Sequence, residues 1–475
     1  MIYECIQERN GDFMAEVIEK NKGLFFKWVI TFLVPIICFL IPNSEIYTYN
    51  IKMFLVVTSF CILIIAFELM QLIAIAILFP FAYILTGVIP VEIALKSWTT
   101  TAPWVTLGGV ILACIMERVG LLQRIAYWCI IKLGKSYEGL IFGILLGGNI
   151  LNFITGGQGW IPMAAFCYGV CKALNVKKFS IDAALISLTG GISVSSSCFF
   201  FYTPFYMTVM LNNARNVVPD LSVNMASFFF QMCPYVIFMI LFVWLLPKIF
   251  KPTMEFQSVD YFKEEYQKLG KMSFDEKKTT IGILLVLLFM LTGDLHHIDI
   301  DWGFIVLPWI LFLPGINVGK YKDIKDTDFT ILFFGACCME IGLVASYLGV
   351  GQAFAQVLQP LLSSQPSYLI LIILYVISVI TNFLLTPLAI LASLSEPTVQ
   401  IAVSLGIHPL GALYALMMGL DQIFMPHEFL NYVVIMAFGL VSMKDFIKIM
   451  TLKTILATVF VIGVMIPWWY FIGIV

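Results

Sequence analysis

The run "GLDQIFMPHEFLN" sets Asp421, His427, Glu428 and Asn431 between two apolar stretches. A histidine beside carboxylates titrates near physiological pH and can take up and release a proton. Charged groups at membrane depth cost about 2.5–3.5 kcal/mol each, so they persist where they are paired, hydrated or functional. These residue types fit a proton-linked or coupling-ion site, a site for a cationic part of a solute, or a polar knot closing a broken helix. A metalloprotease site is excluded, because "HEFLN" has Asn431 where HExxH needs its second histidine.

Other stretches place small polar residues at breaks in apolar runs. "NFITGGQGWIP" offers Asn152, Thr155, Gly156, Gly157 and Gln158, and "NFLLTPLAILAS" offers Asn382, Thr386 and Pro387. "TGGISVSSSC" holds Ser195 and Ser196, and "YTPFYM" holds Thr203 and Pro204. The chemistry available at such breaks is that of exposed helix ends. Amides at a helix N-terminus carry roughly half a positive charge and attract anions. Unwound carbonyls attract cations. The serine-rich stretch fits close helix packing equally well. No arginine stands among these residues to clamp a carboxylate, so helix ends, Asn, Ser and Thr must do any binding.

Enzyme chemistry finds little support. Ser195–Ser197 has no base nearby in sequence, and no GxxxxGK[ST] phosphate loop is present. The eleven cysteines include no CxxC pair with zinc spacing. His296 and His297, in "GDLHHIDID", could hold a divalent metal but read as a solvated turn, and His408 reads as loop. The expectation is a protein that is not an enzyme, with no metal site and no cofactor beyond a coupling ion, Na+ or H+.

The elements that position these breaks must lie in a membrane. Of 475 residues, 61% are hydrophobic and 12% charged, against about a quarter charged in soluble chains. That excludes a soluble enzyme and a disordered protein. A net charge of −2 offers no basic field for nucleic acid. The expected fold is an all-α polytopic membrane protein with about 11 transmembrane helices of roughly 20 residues each. Two re-entrant helical hairpins complete it, in an inverted-topology repeat. Residues 1–24 are expected as a cytoplasmic segment without a cleavable signal. Residues 25–250 form a first membrane half, with a cytoplasm-opening hairpin at 138–175 and a broken helix at 183–210. A cytoplasmic amphipathic linker follows at 251–278. Residues 279–475 form the second half, with an outward-opening hairpin at 367–406 and a broken helix at 410–440.

Basic residues favour re-entrant hairpins over ordinary spans. With the N-terminus inside and the C-terminus outside, all but Lys52, Lys96 and Arg215 fall on the cytoplasmic side, 24 of the 27. This count puts Lys453 inside with Lys444 and Lys448. It also makes Arg118 and Arg124 topological residues of the inner interface of a cytoplasmic (inner) membrane.

The halves echo each other. "ACIMERVGL" (113–121) pairs with "ACCMEIGL" (336–343), and "LNFIT" (151–155) with "TNFLL" (381–385). On this pairing Glu117 and Glu340 are repeat mates, expected to position the hairpins by accepting hydrogen bonds. Breaks entering from both sides can meet near the midplane, the plan of many secondary transporters.

This order of elements, with "ERVGLLQRIA" (117–126) and the tail "MKDFIKIMTLKTILATVFVIGVMIPWW" (443–469), resembles the divalent anion:sodium symporters. These are the dicarboxylate and citrate permeases of the ion transporter superfamily. The resemblance covers nearly the whole chain. It implies a secondary active transporter of a small anion, a di- or tricarboxylate, driven by cation symport. It implies an elevator-like motion of a transport domain on a scaffold domain, in a homodimer. The family carries Ser-Asn-Thr at each hairpin tip for sodium and substrate carboxylate. Here both are absent. Asn152 and Asn382 fill the Asn positions, or Thr155 and Thr386 occupy the tips. Thr203-Pro204 matches one Thr-Pro element of the family, whereas the second half has "MPHEFLN" instead. Sodium symport follows the family; proton coupling or anion exchange follows Asp421, His427, Glu428 and Asn431. A channel is the other class, and the antisymmetric halves favour alternating access over it.

Overall fold

The computed structural model describes residues 24–475 apart from 68, 134–135, 255–259, 297, 299–300, 328 and 384–385. The expected N-terminal cytoplasmic segment and His297 therefore lie outside the described residues. Among the described residues every regular element is helical. Helices α1 (24–40), α2 (Tyr49–Ala66) and α3 (Leu72–Leu85) open the chain.

The chain then follows one course twice. Helix α4 (Ala102–Arg118) bends by 71° into an arm, α5 (Leu121–Leu133). A helical hairpin follows, α6 (Tyr137–Ile154) and α7 (Trp160–Ala173), then a helix broken into α8 (Ile181–Ser196) and α9 (Pro204–Ala214). Helices α10 (Met225–Met232) and α11 (Pro234–Phe250), bent by 53°, close the first course. A linker helix α12 (Asp260–Lys268) leads to α13 (Phe274–Leu291) and α14 (Asp301–Ile310). The second course runs through α15 (Thr330–Tyr347), an arm α16 (Val350–Leu362), and a hairpin of α17 (Ser367–Asn382) and α18 (Pro387–Ser404). A broken helix, α19 (Pro409–Gly419) and α20 (Leu430–Ala437), precedes α21 (Met443–Phe460) and α22 (Ile466–Phe471).

Local chemistry sets these boundaries. Ser136, Ser180, Asn224 and Ser442 each accept a backbone N–H at the first turn of α6, α8, α10 and α21. Pro204, Pro387 and Pro409 sit in the first turn of α9, α18 and α19, where a missing N–H costs nothing. Gly120 (φ +86°) and Gly349 (φ +71°) stop α4 and α15 in the left-handed region. They precede Asn152 and Asn382 by 32 and 33 residues, so they set the register of the repeat.

That register corrects the pairing of Glu117 with Glu340. Glu117 is exposed near the end of α4. Glu340 is buried in the middle of α15 and accepts the backbone N–H of Ser97 at 3.3 Å. Ser97 belongs to neither hairpin, so the expected shared role is not found. Arg118 and Arg124 are also more than topological markers. Arg118 donates to both carboxylate oxygens of Asp323 (2.5 and 2.9 Å) and to the Val318 carbonyl. Arg124 pairs with Glu276 at 2.7 Å and caps the Leu269 and Gly270 carbonyls. Arg118 binds the first half to the second, and Arg124 binds it to the linker.

By length and composition, Tyr137–Ile154, Ile181–Ala214 and Met443–Phe471 can cross a membrane, and the two bent pairs raise the three to five. Other apolar helices have 10–17 residues, the length left when a span is broken. Apolar side chains at helical spacing face outward on α11 (Ile237, Ile240, Leu241, Trp244) and α13 (Ile281, Leu284, Leu285, Leu288). Continuous faces of that kind suit lipid rather than water. The two broken helices lie at the centre: α8 is buried from Asp182 to Ser196, and α19 from Leu410 to Gly419.

Candidate functional site

Asn152 shapes the first hairpin tip. Its carbonyl accepts Gly157 N–H (2.8 Å), and its side-chain oxygen accepts Gly159 N–H (3.3 Å). Gly156 (φ +62°) and Gly157 (φ +99°) make a turn that L residues resist. A Cβ on Gly156 would strike the Phe304 ring at 2.7 Å, and one on Gly157 would meet Thr203 Cγ2 at 2.5 Å. The Thr155 hydroxyl donates back to Leu151 O and is buried.

Each hairpin Asn also holds the break in its own half. Asn152 Nδ2 donates to Ser197 Oγ (2.9 Å) and Cys198 Sγ (3.2 Å), between α8 and α9. Asn382 Nδ2 donates to Leu420 O (3.3 Å) and Gln422 O (3.1 Å), between α19 and α20. Asn382 Oδ1 is buried without a hydrogen-bond partner.

The two breaks are tied across the halves. Ser196 Oγ donates to Asp421 Oδ1 at 2.8 Å, and Asn431 Nδ2 donates to Ser195 Oγ at 3.2 Å. Asp421 Oδ2 accepts from Tyr235 OH at 2.5 Å and lies 2.8 Å from Lys453 Nζ. Lys453 also donates to the Asp421 main-chain oxygen at 2.6 Å. Lys453 is fully buried inside the protein. The charged cluster divides here. Glu428 turns back on its own loop and accepts the N–H groups of Phe424 and Met425. Pro426, His427 and Glu428 form a single 3₁₀ turn, and the side chain of His427 lies outside the described residues.

A small cavity of about 50 Å³ lies where the tips meet the second broken helix. Its wall includes Gly157, Gln158 and Trp160 from the first hairpin and Thr386, Pro387 and Leu388 from the second. Phe205 and Tyr206 of α9, Phe334 of α15, Phe429 and Asn431 complete it. Four helices begin at this wall. Trp160 and Pro387 are the first residues of α7 and α18, Phe205 is second in α9, and Asn431 is second in α20. Helix N-termini gathered around one space bring positive dipole ends together, a setting for an anion. No Lys or Arg is among the lining residues.

A family profile described as "Sodium:sulfate symporter transmembrane region" matches residues 22–475. The chain belongs to that family. That family is one of membrane transporters, of the divalent anion:sodium symporter type that the resemblance implied. The sodium-dependent dicarboxylate transporter SdcS of Staphylococcus saprophyticus is 22% identical over 342 residues. That alignment covers 64% of this chain and 64% of the relative, just under two thirds of its length. Two solved structures share the fold, each at TM-score 0.52 and 15% identity. They are Neisseria gonorrhoeae MtrF, described with a class of antimetabolite efflux pumps, and Alcanivorax borkumensis YdaH, described as a transporter of unusual topology. The likeness covers 78% and 79% of this chain, and 82% and 87% of those chains.

Of the residues expected at a site in this sodium:sulfate symporter relative, Gly157, Gln158, Thr386, Pro387 and Asn431 reach the cavity wall. Asn152 and Asn382 stand behind it and hold the breaks. Thr203 packs on Gly157, Pro204 starts α9, and Gly156 packs on Phe304. Ser195, Ser196 and Asp421 join the breaks. Lys453, Tyr235 and the aromatic wall escaped sequence reasoning. A signal for Lys453 was present. Eleven residues beyond the cap Ser442 place it about 16 Å along a helix at 1.5 Å per residue, half of a hydrocarbon layer about 30 Å thick.

Proposed function

We propose that this chain is a secondary active transporter of a small anion, a di- or tricarboxylate, moved across the cytoplasmic membrane by cation symport with sodium. The observation that carries this reading is the cavity at which four helix N-termini converge between two hairpin tips. Dipole ends and amides bind an anion without a fixed positive side chain, which suits binding and release on each cycle. The aromatic side chains of Phe205, Tyr206, Phe334 and Phe429 shield the apolar middle of such a solute. The family description and the dicarboxylate-transporting relative support sodium as the coupling ion. An elevator-like motion of both hairpins and both broken helices, in a homodimer, is the mechanism that fits the repeat. Proteoliposome uptake of labelled di- and tricarboxylates under imposed sodium or proton gradients tests the proposal. Sodium-driven uptake of at least one of them is expected. Uptake of none, under either gradient, would overturn it.

A further inference from the structure

The two breaks differ in charge. At the first, every partner of Asn152 is neutral: Ser197, Cys198 and backbone amides. At the second, three successive carbonyls of the unwound chain point to donors. Asn382 takes Leu420 O and Gln422 O, and Lys453 takes Asp421 O. The same ammonium lies 2.8 Å from the Asp421 carboxylate, with the two side chains 0% and 1% exposed. Unwound carbonyls beside a buried carboxylate are the surroundings in which a transporter holds a coupling cation. Here a cation is already present, and it is covalently attached.

We propose that Lys453 is a tethered cation occupying the coupling-ion position of the second half, so that ion coupling falls to the first half alone. This rests on the reading of the chain as a cation-coupled anion transporter, and it narrows the number of ions that reading allows. The Asp421 oxygens are fully engaged. Oδ1 accepts from Ser196, Oδ2 from Tyr235 and Lys453, and the main-chain oxygen from Lys453. A sodium ion would have to displace a charge of the same sign whose local concentration is fixed by the chain. Lys453 is carried on α21; its partner Asp421 lies in the second break and is held in turn by Ser196 of α8 and Tyr235 of α11. Unlike sodium, it is not released when the site opens. The second half thus keeps its charge balance whether the carrier is loaded or empty.

A purely structural ion pair and a cation surrogate respond differently to sodium. The purified full-length protein in detergent is titrated with sodium chloride against choline chloride at constant ionic strength, with the thermal midpoint as readout. Three proteins are compared: the unaltered chain, Lys453→Ala, and Lys453→Ala with Asp421→Asn. Removing the ammonium leaves a carboxylate and carbonyls for sodium, so Lys453→Ala should gain a sodium-dependent rise of about 3 °C over the unaltered chain. The double variant should lose that gain. A Lys453→Ala protein with no added sodium response, or a gain that survives in the double variant, overturns the proposal. The unaltered chain's own response reports separately on sodium symport; its absence would sink that reading and leave the variant comparison standing. Should Lys453→Ala not be isolable, binding of radiolabelled sodium to the unaltered chain decides. Two ions per chain overturn the proposal, and one or none supports it.

Discussion

At the first break a hairpin asparagine reaches a serine and a cysteine; at the second its repeat mate reaches two backbone carbonyls. The tips differ as well. Gly156 and Gly157 build the first by adopting positive φ against Phe304 and Thr203, whereas Thr386 and Pro387 start the return helix of the second. Among the described residues only the second break holds an ion pair, Asp421 with Lys453. The shared part, an amide side chain spanning from hairpin to break, is what geometry demands of both halves. The unshared part is electrostatic, and there the halves can take different tasks.

The largest expected effect comes from removing one charge of that pair. Asp421→Ala leaves a buried ammonium uncompensated and should destabilise by about 3–5 kcal/mol. The counterpart at the neutral break, Ser197→Ala, removes one hydrogen bond and should cost about 1 kcal/mol. Thermal midpoints in detergent would compare them, and equal losses would erase the proposed asymmetry. Next comes the glycine tip. Gly157→Ala forces a Cβ into Thr203 at a positive φ and should cost about 1–3 kcal/mol, with most uptake lost. Pro387→Ala at the other tip only relaxes a first-turn residue and should cost about 0.5–1 kcal/mol. A Pro387→Ala protein as damaged as Gly157→Ala would show that both tips are under equal constraint.

The hairpin asparagines give a smaller contrast. Asn152→Ala removes two donated bonds and the one accepted from Gly159, while Asn382→Ala removes two donated bonds and an oxygen that already lacks a partner. Each should destabilise by about 1–3 kcal/mol, Asn152→Ala by more. Midpoints in the reverse order would mean that Asn382 Oδ1 has a ligand in the membrane that stabilises the folded protein.

Much of this plan was legible in the sequence. Scarce charges pointed to the helical membrane class, and Gly or Pro in apolar runs coincides with helix ends at Gly156–Gly157, Thr203–Pro204 and Thr386–Pro387. The repeat was legible as a pattern, yet letter matching paired Glu117 with Glu340, because apolar helices share letters cheaply. Gly120 and Gly349 give the better register, since a backbone turn that needs positive φ is harder to imitate. The burial of Lys453 was not foreseen, because a count of basic residues by segment ignores which face of a helix they occupy. The aromatic wall was invisible for another reason. Among 41 phenylalanines and 19 tyrosines, nothing local distinguishes the few that face a cavity.

The smallest effect tests whether the two breaks work as one site. Ser195 belongs to the first broken helix but serves the second, accepting from Asn431, whose side chain lines the cavity. Ser195→Ala leaves no cavity in contact with substrate, so it should barely move the thermal midpoint. It frees the Asn431 amide, and a loosened binding group should raise KM for uptake by about 2–10-fold, the equivalent of one ordinary hydrogen bond. The maximal rate should hold, because the chain still has both hairpins and both broken helices intact. A fall in maximal rate with KM unchanged would place the Ser195–Asn431 contact in the moving step rather than in binding. The breaks would then be coupled through motion, and the neutral first break and the charged second would move as one unit.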